Sequence, residues 1–212
     1  MIADRAQRAA SVVEILAHEY PDAECELDHR SAWELLVATV LSAQCTDVRV
    51  NEVTPVLFER WPGPEDLAGA KREDLEATIF STGMFRQKSA TLQRAAQMVV
   101  QSYGGEVPVD LDQLIALPGV GRKTAKVVLG EGFGIAAGVT VDTHVRRLSL
   151  RLGLTRLEDP EKIASELEEL VPRDQWIKFS TRLILHGRRV CGARSPRCGD
   201  CVLSEVCPKI GV

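Results

Sequence analysis

The 212-residue chain contains no apolar run approaching the ~20 residues of a membrane span. Its N-terminus, with Asp4, Arg5 and Arg8 ahead of a short amphipathic stretch, lacks the apolar core of a signal peptide. A cytosolic chain with no membrane partner is expected. No segment sustains period-2 alternation, which excludes an organised sheet, and neither an internal repeat nor a low-complexity tract is present. Net positive charge is lacking too: the total is -4, which argues against a generic polyanion binder and leaves charge distribution as the useful quantity.

That distribution is uneven. Glu158, Asp159, Glu161, Glu166, Glu168 and Glu169 face only Lys162 within residues 158–169, whereas Arg182, Arg188, Arg189, Arg194 and Arg197 occupy residues 182–197 with no acid. A local basic footprint therefore survives the negative total. With 45% apolar residues the chain can bury a real core as one domain or two small lobes.

What is present reads as helices, about ten of them by periodicity. Val12, Val13, Leu16 and Tyr20 form a first amphipathic helix stopped by Pro21. Ser31-x-x-Glu34 has the form of a capping box, and Leu35 to Leu41 is apolar on every side, the expected centre of a lobe. Asp47 is placed to cap the next helix, Pro55 to kink or break it, and Pro62-Gly63-Pro64 to end it. A charged amphipathic helix follows through Leu75 and Ile79 and closes at Gly83. Met84 to Lys88 reads as a mixed loop before a long helix with Ala95, Ala96 and Val99 on one side.

Leu117-Pro118-Gly119-Val120-Gly121-Arg122-Lys123-Thr124 is the organising stretch. Asp110-x-x-Gln113 opens a short helix before it, and Ala125, Val128 and Leu129 recur at helical spacing after it. A tight turn between two helices is predicted. Its glycines would let an extended partner lie close to amides at a helix N-terminus, where an anion is favoured, although Gly-x-Gly connections are also common without any ligand.

Lys123 is oddly placed for a plain cation. At the first turn it opposes the macrodipole, and Arg122 and Lys126 add like charge, so its neutral amine is favoured and nucleophilic chemistry is expected. Asp142 precedes a helix through His144 and Leu148, and taken alone it reads as an N-cap.

The six cysteines of a cytosolic chain point to metal or catalysis before disulfides. Cys25 and Cys45 read as packing residues. Cys191, Cys198, Cys201 and Cys207 form C-x6-C-x2-C-x5-C, four soft thiolates within 17 residues. Spacing alone leaves tetrahedral zinc and an iron–sulfur cluster close to even.

Residues 117–124 together with Val141-Asp142-Thr143-His144 resemble the helix-hairpin-helix DNA glycosylase superfamily, and the retained lysine resembles its endonuclease III branch. The cysteine spacing matches the iron–sulfur loop of that branch, so the resemblance extends from Ser31 to Pro208. It implies an all-α fold of two helical lobes with a DNA cleft between them: residues 25–136 as a six-helix lobe with the hairpin, and residues 1–24 plus 137–212 as the lobe carrying one [4Fe–4S] cluster on Cys191, Cys198, Cys201 and Cys207. It implies a monomeric, nucleoid-associated DNA glycosylase and AP lyase acting on double-stranded DNA with damaged pyrimidines or abasic sites. Lys123 would be the nucleophile and Asp142 its carboxylate. Gln44 would fill the gap left by an extruded base, Met84 would wedge the opposite strand, and Gly119, Val120, Gly121, Arg122 and His144 would contact DNA. The glycine-rich loop from Glu131 to Gly138 departs from the family pattern, where bulkier residues are expected, and bears on lesion-pocket shape. Two competitors remain. An adenine-mismatch glycosylase lacks the lysine and carries a further C-terminal domain, for which no residues follow Val212; a non-catalytic hairpin module with structural zinc would need neither Lys123 nor Asp142.

Overall fold

The computed structural model describes residues 4–212. Eleven α-helices carry the described residues, and the one extended pairing among them is an isolated bridge between Cys191 and Pro196. The fold is all-α. No helix among the described residues is long and apolar enough to cross a membrane.

The chain divides into two compact units. One is continuous, Cys25–Ile135; the other joins Met1–Glu24 to Ala136–Val212. In the discontinuous unit, α1 (Arg5–Glu19) packs on α10 (Pro160–Leu170) and α11 (Trp176–Arg189), and α11 packs closely on α9 (Thr143–Arg151). Val12, Leu16, Val145, Leu148, Leu167 and Phe179 are among the buried residues of its core. Gly187 lets α9 and α11 approach, because a Cβ there would lie 2.9 Å from His144 Nδ1. Arg5 donates to Glu166 at 2.8 Å and ties α1 to α10.

In the continuous unit, α2 (Ala32–Leu41) is the central element, with Leu35, Leu36, Val37, Ala38 and Leu41 at or near zero exposure. Each such leucine contributes roughly 1.5–3 kcal/mol on burial, so the apolar run expected at a lobe centre is where it should be. On it pack α3 (Asp47–Arg60), α6 (Phe85–Tyr103) and α8 (Arg122–Val127), while α4 (Pro64–Ala68) packs on α6, α5 (Arg72–Ile79) on α3 and α6, and α7 (Leu111–Ala116) on α8. A π-helical turn, Val128–Gly132, continues α8 and packs on α2, with Gly132 against Ala32. The glycine-rich loop is thus helical in its first part.

Several local expectations are corrected. The helix α3 runs through Pro55 unbroken, since Val50, Val53, Leu57 and Phe58 bury one continuous face across it. Its N-cap is Thr46, whose hydroxyl accepts from the Arg49 N–H, and Asp47 is the first helical residue. As expected, α3 stops at Arg60, just ahead of Pro62-Gly63-Pro64, but Pro64 also opens α4: its fixed φ suits the N1 position, where no N–H is required. Helix α6 begins at Phe85, so the loop ahead of it shrinks to Gly83 and Met84. The Ser31 hydroxyl accepts from the Glu34 N–H as predicted, but the Glu34 carboxylate turns to the backbone N–H and guanidinium of Arg30.

Candidate active site and cysteine loop

The hairpin lies between α7 and α8 as the sequence predicts. Asp110 Oδ1 accepts from the N–H groups of Asp112 and Gln113 and starts α7. Leu117 and Val120 are buried, and the Val120 N–H donates to Leu117 O at 3.1 Å. Val120 is therefore an anchor of the turn, with neither side chain nor amide left to meet a ligand. Gly119 has φ +77°, and a Cβ there would sit 2.2 Å from Thr91 Cγ2, so the fold itself requires glycine. Gly121 differs: its φ is -87°, and a Cβ would meet nothing within 4 Å. Its small size leaves open space in front of the first turn of α8.

Arg122 and Lys123 are exposed there, whereas Lys126 is turned inward at 8% exposure. A residue at the second helical position points away from the packed face that Ala125 and Val128 define. The amine of Lys123 thus faces solvent beside the glycine gap.

Asp142 is the N-cap of α9, with Oδ1 accepting the Val145 N–H at 2.8 Å. The capping role holds. Its Oδ2 has no hydrogen-bond partner among the described residues, so half of the carboxylate is uncommitted. His144 is half-buried and engages Arg147 through Nδ1 at 3.1 Å. Burial lowers its pKa below the usual histidine value, with the charges of Arg147 and Arg188 acting in the same direction and the carboxylate of Asp142 opposing them. Its ring packs between α9 and α11 against Gly187.

Gln44 and Met84 are both exposed, and both adopt left-handed backbone, at φ +53° and +45°. Neither is a core residue. The basic stretch near the C-terminus is narrower than its sequence suggests. Arg182 is buried and donates to Tyr20 O, which leaves Arg188, Arg189, Arg194 and Arg197 exposed.

The four C-terminal cysteines are half-buried free thiols, three of which, Cys191, Cys201 and Cys207, lie against the apolar core of the discontinuous unit. Among the described residues no set of three or more His, Cys, Asp or Glu side chains closes around one ion position. The thiols are nonetheless electrostatic neighbours. Burial pushes Cys201 and Cys207 up, and the charges of the other cysteines push them further in the same direction. A metal binding here must displace protons.

Two arginines of α9 hold this loop, a role the sequence reading did not assign. Arg147 donates to the carbonyls of Gly187 and Cys191, each at 3.0 Å. Arg151, 8% exposed, donates to Gly192 O and Ala193 O at 2.8 Å and to Cys191 Sγ at 3.3 Å. The Lys209 N–H approaches Cys207 Sγ at 3.4 Å. Beneath the loop, His186 spans Tyr20 Oη at 3.0 Å and Cys201 Sγ at 3.3 Å. Burial pushes its pKa down to about 4, so it is neutral near pH 7. The i, i+4 spacing of Arg147 and Arg151 on one face of α9 was the available signal.

Residues 37–173 match the family model described as "HhH-GPD superfamily base excision DNA repair protein". The chain is 52% identical to endonuclease III of Synechocystis over 98% of its length and 94% of the relative's. Its structure superposes on a non-covalent endonuclease III–DNA complex with a TM-score of 0.92, 43% identity and coverage of 99% and 97%. A trapped covalent endonuclease III–DNA intermediate is similar at a TM-score of 0.91 and 43% identity, again over 99% of this chain and 97% of that one. With the hairpin, the lysine beside it and the cysteine loop all in place, the chain belongs to the endonuclease III family of the HhH-GPD base excision DNA repair superfamily.

Proposed function

We propose that this base excision repair enzyme removes oxidised pyrimidines from duplex DNA and then cleaves the strand, with Lys123 as nucleophile and Asp142 as its assisting carboxylate. The observation that carries this reading is the exposed amine of Lys123 in the first turn after the hairpin, beside the open space at Gly121. A glycine that neither backbone angle nor packing requires suits close approach of a phosphodiester backbone.

A base inside a duplex hides C1′, so the nucleotide is extruded, Gln44 occupies the gap and Met84 supports the opposite strand. The neutral amine of Lys123 attacks C1′, the glycosidic bond breaks, and its electron pair leaves with the base, which takes up a proton. The uncommitted oxygen of Asp142 stabilises the cationic sugar and assists deprotonation of the amine. The nitrogen then gives up one proton, and its lone pair expels O4′, which takes up a proton as the C1′–O4′ bond breaks, leaving a protonated Schiff base between Lys123 and C1′ of the opened sugar. That iminium acidifies C2′; removal of the C2′ proton expels the 3′ phosphate and breaks the strand. Double-stranded DNA with damaged pyrimidines or abasic sites is thus the partner, and the enzyme acts as a monomer at the nucleoid.

The cysteine loop suits a [4Fe–4S] cluster held by Cys191, Cys198, Cys201 and Cys207. The donor set supports this, since the loop offers four soft sulfurs, of which Cys191 Sγ receives an N–H from Arg151 and Cys207 Sγ the backbone N–H of Lys209, and such hydrogen bonds stabilise anionic thiolate clusters. When bound, the cluster would lock the loop covalently and present Arg194 and Arg197 toward phosphate.

The test is borohydride reduction during reaction with a thymine-glycol duplex. The native chain should give a covalent protein–DNA adduct and a nicked strand. Lys123→Ala should give neither while still binding the duplex. An adduct of undiminished yield in that variant would remove Lys123 from the role.

A further inference from the structure

Lys88 is the most deeply buried of three charged side chains, with Glu34 and Lys126, that the described residues of the continuous unit bury and the proposed chemistry does not use. It lies in the first turn of α6 at 4% exposure, and its Nζ donates to Leu41 O and to Thr82 O, both at 2.7 Å. These two carbonyls come from different elements. Leu41 is the last residue of α2, three positions before Gln44; Thr82 closes the 3₁₀ turn Phe80–Thr82, two positions before Met84. One ammonium group therefore clamps the bases of both loops.

The two loop tips share a second property. The described non-glycine residues with positive φ are Gln44, Met84 and Lys209, so two of the three sit on the segments that Lys88 holds. Left-handed backbone at a residue with a Cβ persists only where the surroundings impose it. Each loop is also closed internally. The Cys45 N–H donates to Ser42 O, and the Thr82 hydroxyl donates to Ile79 O at 2.8 Å. Satisfying two buried carbonyls would explain a polar side chain at position 88. It would not explain why both carbonyls adjoin the two strained, exposed tips.

We propose that Lys88 is a positioning residue that fixes the spacing of the Gln44 and Met84 loops, so that the two side chains enter the duplex as one rigid unit. This rests on the reading of Gln44 and Met84 given above. Burial penalises the ammonium while the Cys45 thiol offsets part of that penalty, consistent with a charge kept for geometry.

Two variants test it. Lys88→Gln removes the charge and shortens the side chain, so that its amide, although it carries two N–H donors, cannot reach both carbonyls unless a loop moves; Lys88→Met removes the donors altogether, and if it fails to fold the glutamine variant is read alone. Amide exchange in the DNA-free protein should accelerate at least tenfold in residues 43–46 and 83–86 together, with the hairpin at 117–124 unchanged. Single-turnover base release from a thymine-glycol duplex should fall about 10- to 100-fold, the cost of misplacing a positioned group by about 1 Å. Cleavage at an abasic site in single-stranded DNA, where no gap needs filling, should stay within twofold. In a Gln44→Ala/Met84→Ala background, Lys88→Gln should cost nothing further. Uniform loosening of the unit, loosening of one loop only, equal losses on both substrates, or a fully additive loss in that background would each overturn the proposal. If Gln44→Ala and Met84→Ala themselves release base at the native rate, the reading of those two residues fails and takes the inference with it. If they are slow and Lys88→Gln is not, the inference alone falls.

Discussion

Asp142 can be asked to separate two roles that its geometry combines. Oδ1 caps α9 through the Val145 N–H at 2.8 Å, while Oδ2 is available for chemistry. Asp142→Ala removes both roles. Loss of an N-cap costs about 1 kcal/mol, which in a chain of this size lowers Tm by about 2–4 °C. Asp142→Asn keeps an acceptor at Oδ1 and caps nearly as well; it forfeits only the charge–dipole part, about 0.5 kcal/mol or 1–2 °C. If the carboxylate stabilises the developing sugar cation, both variants should slow base release by about 10²–10³, equivalent to roughly 2.7–4 kcal/mol of barrier. Rate loss and stability loss then come apart: alanine loses both, asparagine almost only rate. The assay is single-turnover base release on a thymine-glycol duplex, read beside thermal unfolding of the same preparations. Native turnover in Asp142→Asn, or rate losses that track the two melting temperatures, would reduce Asp142 to a helix cap.

Cys198→Ser should lower bound iron and sulfide, weaken the broad visible absorption and lower Tm, because metal binding is part of the folding free energy of such a loop; stoichiometric zinc without iron in the native protein would refute the cluster. Gly187→Ala should destabilise the chain by about 1–3 kcal/mol in urea unfolding, since the new Cβ would lie 2.9 Å from His144 Nδ1 and 3.0 Å from His144 Cβ; unchanged stability would show that α9 and α11 can part without cost. Glu166 gives a pH signature. Its pKa is lowered, first by the Thr155 hydroxyl and then by Arg5, so its stabilisation is complete above the ordinary carboxylate range and is lost as pH falls through the depressed folded value. With Arg5 41% exposed, solvent screening limits the effect, and Glu166→Gln should cost about 0.5–1 kcal/mol at pH 7. The gap to the native protein should shrink below about pH 4; a gap constant from pH 7 to pH 3 would contradict the assignment.

What the sequence made legible was local. Ser31, Asp110 and Asp142 are caps because each side chain needs only the amides two or three residues ahead, and the hairpin follows from Pro118 and two glycines within the same turn. What stayed hidden depended on partners far along the chain. Arg147 and Arg151 look like an ordinary basic face until the carbonyls of residues 191–193 arrive, and His186 acquires meaning only from Tyr20, 166 residues away. Lys88 read as a loop residue because its two acceptors lie on other elements. Proline was informative only in part: α3 stops ahead of Pro62-Gly63-Pro64 as expected while Pro64 also starts a helix, and continuous apolar packing on both sides of Pro55 outweighs the missing hydrogen bond. The glycine requirement also divides by cause, since Gly119 serves the fold and Gly121 does not.

The discontinuous unit imposes an order on synthesis. Helix α1 leaves the ribosome ahead of the continuous unit, yet its partners α10 and α11 follow only after the whole of Cys25–Ile135, and Arg5 must wait 161 residues for Glu166. At about 5–20 residues per second that is an interval of roughly 8–30 s. The continuous unit can close during that time, because every element it needs lies within one uninterrupted stretch. Val12 and Leu16 meanwhile remain unburied on a 15-residue helix that is marginal alone. The interval makes α1 the segment a nascent-chain chaperone would have most time to hold, and the cysteine loop, held by arginines of α9, among the last parts to take shape.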